Sequence, residues 1–93
     1  MKVDHIALQV EDPRAAAEWY IENFSAEPLY VDDTWGIVQF ENIKLAFVVK
    51  NQHPPHFAFD VPDLESGTLH RDGSISQYKK DPWGNIYELI KYE

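Results

Sequence analysis

The chain has 93 residues, with 16 acidic against 8 basic side chains, a net charge of −8 and no cysteine. That length allows one modest domain, and the negative charge repels a phosphate backbone, which excludes nucleic acid as a partner. The lack of cysteine excludes disulfides and thiolate metal sites and suits the cytoplasm. No apolar run approaches the ~20 residues of a membrane span.

Met1-Lys2-Val3 runs straight into an alternating segment, so no signal peptide is expected and Lys2–Val10 is predicted as a strand. Asp12-Pro13 supplies an N-cap and a proline at the first helical position. The helix is expected to run from Arg14 to about Phe24, with Ala16, Trp19, Tyr20 and Phe24 on one stripe. Pro28–Val31, Trp35–Phe40 and Ile43–Val49 read as strands, joined by turns at Asp32-Asp33 and Glu41-Asn42. Trp19, Tyr20, Trp35, Phe40 and Phe47 are the expected core. Asn51–Pro55 is a linker rich in breakers.

The order then begins again. His56–Val61 reads as a strand. Pro62–Gly67 stands where the first half has its helix, yet offers barely one turn. Thr68–Arg71 is a short strand, Asp72-Gly73 a hairpin turn, and Ser74–Lys80 and Ile86–Tyr92 are the closing strands around Asp81–Asn85. The fold class is therefore α+β. It comprises two βαβββ modules, 1–50 and 51–93, in a single domain with a curved mixed sheet, and the second module has lost most of its helix. The back of that second module would expose Phe57, Phe59, Val61 and Leu89. An apolar face of that kind invites a second copy of the chain, so a homodimer is expected.

The repeat carries histidine. Asp4-His5-Ile6-Ala7-Leu8-Gln9-Val10-Glu11-Asp12 returns as Pro55-His56-Phe57-Ala58-Phe59-Asp60-Val61-Pro62-Asp63. Strand alternation puts His5 on the side of Ala7 and Gln9, opposite Ile6, Leu8 and Val10. Two related strands that each turn a histidine to the same side can place two imidazoles on one ion. Glu88 lies on the last strand between Ile86 and Ile90, which marks a partly buried carboxylate. Two imidazoles and a carboxylate form a common ligand set for one divalent ion, whether Fe, Mn, Zn, Ni or Co. The set leaves positions open for a substrate with adjacent oxygens.

These residues resemble the vicinal oxygen chelate superfamily, which includes glyoxalase I, bleomycin resistance proteins, extradiol dioxygenases and methylmalonyl-CoA epimerase. The matching pieces are Val3–Leu8, Asp12-Pro13 with Trp19-Tyr20, His56–Val61, and Tyr78-Lys79-Lys80-Asp81-Pro82-Trp83-Gly84-Asn85-Ile86-Tyr87-Glu88-Leu89. The resemblance implies the glyoxalase/bleomycin resistance/dioxygenase fold, with the metal on the concave side of the sheet and His5, His56 and Glu88 as its ligands. The function implied is that of a divalent-metal-dependent small-molecule enzyme, a lyase, isomerase or dioxygenase. The alternative is a non-catalytic drug- or metabolite-binding protein of the bleomycin-resistance kind.

Lys44 departs from the pattern. It stands where glyoxalase I and the epimerase carry a fourth ligand, and an ammonium cannot ligate unless deprotonated. What remains is a three-ligand site of the dioxygenase type. Lys44 then has three readings: contact with an anionic substrate, a salt bridge to Glu88 in place of the metal, or a solvated side chain. His70, beside the hairpin turn, is a candidate proton carrier, and Tyr78 a candidate donor to a developing oxyanion. Trp35 and Trp83 sit at turns and are candidate walls of a substrate pocket.

Overall fold

The computed structural model describes residues 1–70 and 72–92. Its elements are β1 (Lys2–Gln9), α1 (Pro13–Phe24), β2 (Glu27–Val31), β3 (Trp35–Gln39), β4 (Lys44–Val48), β5 (His56–Asp60), β6 (Thr68–Leu69), β7 (Ile75–Lys80) and β8 (Ile86–Lys91). The eight strands form a mixed sheet, and α1 is the single helix among the described residues. The chain divides into two compact units, His5–Pro55 and Met1–Asp4 with His56–Glu93, so the division falls inside β1.

In the unit His5–Pro55 the strand order is β2-β3-β4-β1. β1 runs parallel to β4, and the other neighbours are antiparallel. The registers set two faces. Leu8 pairs with Phe47 and Phe47 with Gly36, while Ile6 pairs with Leu45 and Leu45 with Val38. This is the face that α1 covers. Ala17, Ala26, Val38 and Phe47 are buried there, with Leu8, Tyr20, Ile21 and Leu45 packed around them. The opposite face carries the His5–Lys44–Gln39 row, then the Ala7–Ala46–Ile37 row.

Helix α1 starts where the Asp12 side chain accepts the Ala15 amide at 3.2 Å and Pro13 takes the first turn. It ends at Ser25, in the left-handed conformation with its N–H on the Ile21 carbonyl. The stripe that meets the sheet is not the one expected from the aromatic positions. Pro13 and Ala17 are buried and Ala16, Tyr20 and Ile21 half-buried, whereas Trp19 is 51% and Phe24 56% exposed. Alanines let the helix lie close to the sheet, and the large rings are displaced to its flank, where Trp19 packs edge-on against Tyr20 and Phe24. Phe47 is fully buried as expected, but Trp35 and Phe40 are only half-buried.

In the other unit the order is β5-β8-β7-β6, with β5 parallel to β8 and antiparallel pairing beyond. Ala58, Glu88 and Tyr78 form one row, and Phe57, Tyr87 and Lys79 form the next on the opposite face. The segment after β5 makes a turn, with the Leu64 amide on the Val61 carbonyl, and Leu64 is buried. The helix of the first half thus has no counterpart among the described residues. Phe57 is 37% exposed, while Phe59, Val61 and Leu89 are half-buried. The short strand expected over Thr68–Arg71 is observed as Thr68–Leu69; Arg71 lies outside the described residues.

Candidate metal centre

Each candidate ligand stands at a buried strand position fixed by local pairing. His56 opens β5, and Glu88 sits in the middle of β8, paired with Ala58 on one side and Tyr78 on the other. His56 and Glu88 are 7% and 5% exposed, and His56 Nε2 lies 3.5 Å from Glu88 Oε1. His5 lies on β1, also 7% exposed and paired with Lys44 of β4. One ligand atom from each of His5, His56 and Glu88 lies within 4.8 Å of the other two.

The donor set fits a divalent ion. Bonds of about 2.1 Å in a tetrahedral shell put ligand atoms about 3.4 Å apart, close to the His56–Glu88 separation. Burying a carboxylate this deeply requires a cation or strong donors beside it. One donor is Tyr78, whose hydroxyl hydrogen-bonds to Glu88. Burial, then the Glu88 charge and that bond, hold the Tyr78 phenol well above its ordinary range. It therefore stays protonated and donating. Its ring also packs edge-on against His56, centroid to centroid 5.0 Å. Tyr78 thus touches both candidate ligands of its unit.

His70 does not share the row of Glu88. Its Nε2 is 2.7 Å from the hydroxyl of Ser76, which is 3% exposed and lies on the same side of β7 as Tyr78. Lys44 is half-buried beside His5. Trp35 is half-buried and pairs with Val48 on the helix-free face of its unit. Its ring stacks on Tyr30 at 4.5 Å. Trp83 stands 83% exposed on the β7–β8 turn, with its amide on the Asp81 carboxylate. A shallow open groove of about 410 Å³ lies at the ends of β1 and β4, lined by Gln9, Val10, Glu11, Val49 and Lys50. None of the candidate residues lines it.

Two participants escape a reading of the sequence. Ser76 is legible only by counting back two residues from Tyr78 along the strand. Tyr30 has no such signal, because the β2–β3 register shifts between Pro28 and Tyr30 and rephases the strand.

No protein-family model and no curated protein matches this sequence. Solved structures do match in shape. Methylmalonyl-CoA epimerase from Streptomyces coelicolor, in a complex with 2-nitronate-propionyl-CoA, superposes with TM-score 0.75 at 14% identity over 99% of this chain and 94% of that one. A chain described as NAD-dependent benzaldehyde dehydrogenase from Legionella pneumophila gives TM-score 0.73 at 12% identity, covering 96% and 98%. A hypothetical protein from Bacillus halodurans C-125 gives 0.70 at 11% identity, covering 99% and 94%. These likenesses show the fold, that of the glyoxalase/bleomycin resistance/dioxygenase proteins. The resemblance carried by the sequence motifs is thereby borne out at the level of architecture.

Proposed function

We propose that the chain holds one divalent metal ion on His5, His56 and Glu88 and acts on a small molecule with two adjacent oxygens, as an enzyme of the glyoxalase/dioxygenase type. The observation that carries this reading is the gathering of three buried ligand atoms of the right chemistry from three different strands. The Streptomyces coelicolor protein of the same fold is in a complex with 2-nitronate-propionyl-CoA, which is consistent with a small-molecule site here. When bound, the ion would act as a Lewis acid toward the paired oxygens.

The surrounding residues would do the rest. Tyr78 orients the Glu88 carboxylate through its hydroxyl, and its ring fixes the plane of the His56 imidazole. Ser76 and His70 form a hydrogen-bonded pair that can pass a proton between Oγ and Nε2. Trp35, braced by Tyr30, offers a flat apolar wall on the face that carries His5, and Trp83 an exposed one at a turn. Two copies of the chain would associate through the uncovered face of β5 and β8.

The decisive measurement is the metal content of protein purified without a histidine tag. Wild type should carry about one ion per chain, and His5→Ala and His56→Ala should each lose it. Equal metal in all three forms ends the reading. A ligand bound equally tightly with chelator present would instead favour a metal-free binding protein of the bleomycin-resistance kind.

A further inference from the structure

The strand pattern that seats α1 occurs twice. In the unit His5–Pro55 a parallel pair, β1 with β4, is followed by an antiparallel strand, β3, and α1 packs on β2, β3 and β4. β5, β8 and β7 repeat that pairing, parallel and then antiparallel. A helix of 12 residues is about 18 Å long, and the 6 residues of β8 span about 20 Å, so the second face is long enough for one helix. The segment after β5 supplies a turn instead. Phe57 is exposed there, beside Phe59, Tyr87 and Leu89. Strand alternation adds Lys79 and Lys91 to the same face and sends Asp60 and Glu88, the acids of β5 and β8, to the other side. In a chain of net charge −8, the strand positions of this apolar face carry positive charge and no negative charge.

The solvent side of α1 is its complement. Glu22 lies four positions after Glu18 and three after Trp19, and all three are exposed, so two carboxylates flank one indole on a single side of the helix. Ala15, one turn earlier and also exposed, leaves room for close approach. Arg14, the basic residue of the helix, is drawn to the Asp33 carboxylate at 3.0 Å. We propose that the face of β5, β8 and β7 takes α1 of a second copy of this chain, with Trp19 on the Phe57 and Tyr87 rings and the Glu18 and Glu22 carboxylates toward Lys79 and Lys91. The second copy's helix stands in for the helix that this half lacks. A tryptophan that enters a desolvated patch contributes disproportionately to binding, and the charges fix which side of the helix meets the sheet. The proposal rests on the self-association reading above and names the part of the second copy that the face receives.

Sedimentation equilibrium on the full chain tests it, with the melting temperature measured for every variant. Trp19→Ala should weaken the wild-type dimer about thirtyfold or more, as loss of an aromatic anchor does. Glu18→Lys with Glu22→Lys should also weaken self-association, and so should Lys79→Glu with Lys91→Glu, since each sets like charges against each other. An equimolar mixture of the two charge-reversed forms should dimerise as wild type does, because opposite charges meet again at both contacts of a two-fold pair. Restoration in the mixture cannot come from a fold defect in either form, so it decides the matter where a variant melts early. Wild-type affinity in both folded Trp19→Ala and the folded Glu18→Lys, Glu22→Lys form overturns the proposal, as does a mixture that stays monomeric. Dimers that survive the helix changes yet dissociate on Phe57→Glu have two sheets facing each other, which overturns it while sparing self-association. A wild-type monomer at micromolar concentration sinks the self-association reading, and this inference with it.

Discussion

Tyr92 donates to the Asp4 carboxylate at 2.6 Å and so ties the chain end to the residue preceding His5. Burial, then the bond and charge of Asp4, push the phenol well above its ordinary value. A group whose folded-state pKa is raised contributes stability below its unfolded pKa, near 10 for tyrosine, and loses it as pH rises beyond. Tyr78 is raised in the same direction. Urea midpoints should therefore fall above about pH 10, and Tyr92→Phe should make that fall shallower without abolishing it. An unchanged alkaline slope would show that the Asp4 bond contributes nothing. Asp32 has the opposite sign. The Tyr30 hydroxyl first, then donors from Thr34 and Trp35, hold its carboxyl below the usual range, so its contribution is present above about pH 4 and fades in acid. At this scale the residue types in the turns were readable, Asp32-Asp33 among them. The Tyr30 hydroxyl on Asp32 was not, because it depends on where Tyr30 lands after the bulge.

Elements differed in how far their sequences announced them. Helix α1 declared both its start and its length, because Asp12 and Pro13 act locally. Its buried face was misjudged, since large aromatics seemed the natural core and the sheet instead took the alanines. The segment that replaces a second helix ends at Gly67, which packs closely against β7. A Cβ there would stand 2.4 Å from the Ser76 carbonyl oxygen, so backbone must shift to admit it. Gly67→Ala is expected to cost about 1–3 kcal/mol, read as a lowered urea midpoint, and to disturb the adjoining Ser76–His70 bond. A wild-type midpoint would mean that the segment moves aside freely.

For the molecule as a whole, the unequal halves have a physical consequence. In the unit His5–Pro55, α1 covers the sheet. On β5 and β8 the corresponding face bears Phe57, Phe59, Tyr87 and Leu89, with the Phe57–Phe59 and Phe59–Tyr87 ring centroids 5.3 and 6.2 Å apart, and this unit contributes no helix of its own among the described residues. Association of two chains there predicts a dimer mass in sedimentation at micromolar concentration. It also predicts a shift to monomer on Phe57→Glu, which places a charge on the face without touching the candidate ligands. A wild-type monomer at that concentration argues against it. No described helix is long and apolar enough to cross a membrane. By itself the sequence determined the strand and helix order, the duplication, the lost helix and the identity of the three candidate ligands. Alternation and capping act over a few residues, and the repeat is visible to inspection. Only the tertiary structure decided which face each helix residue buries, that Lys44 stands beside His5, and that Tyr78 grips Glu88 while His70 reaches Ser76. The Lys44–His5 and Tyr78–Glu88 placements are set by strand register, and a shift of one residue would have turned each side chain to the other face.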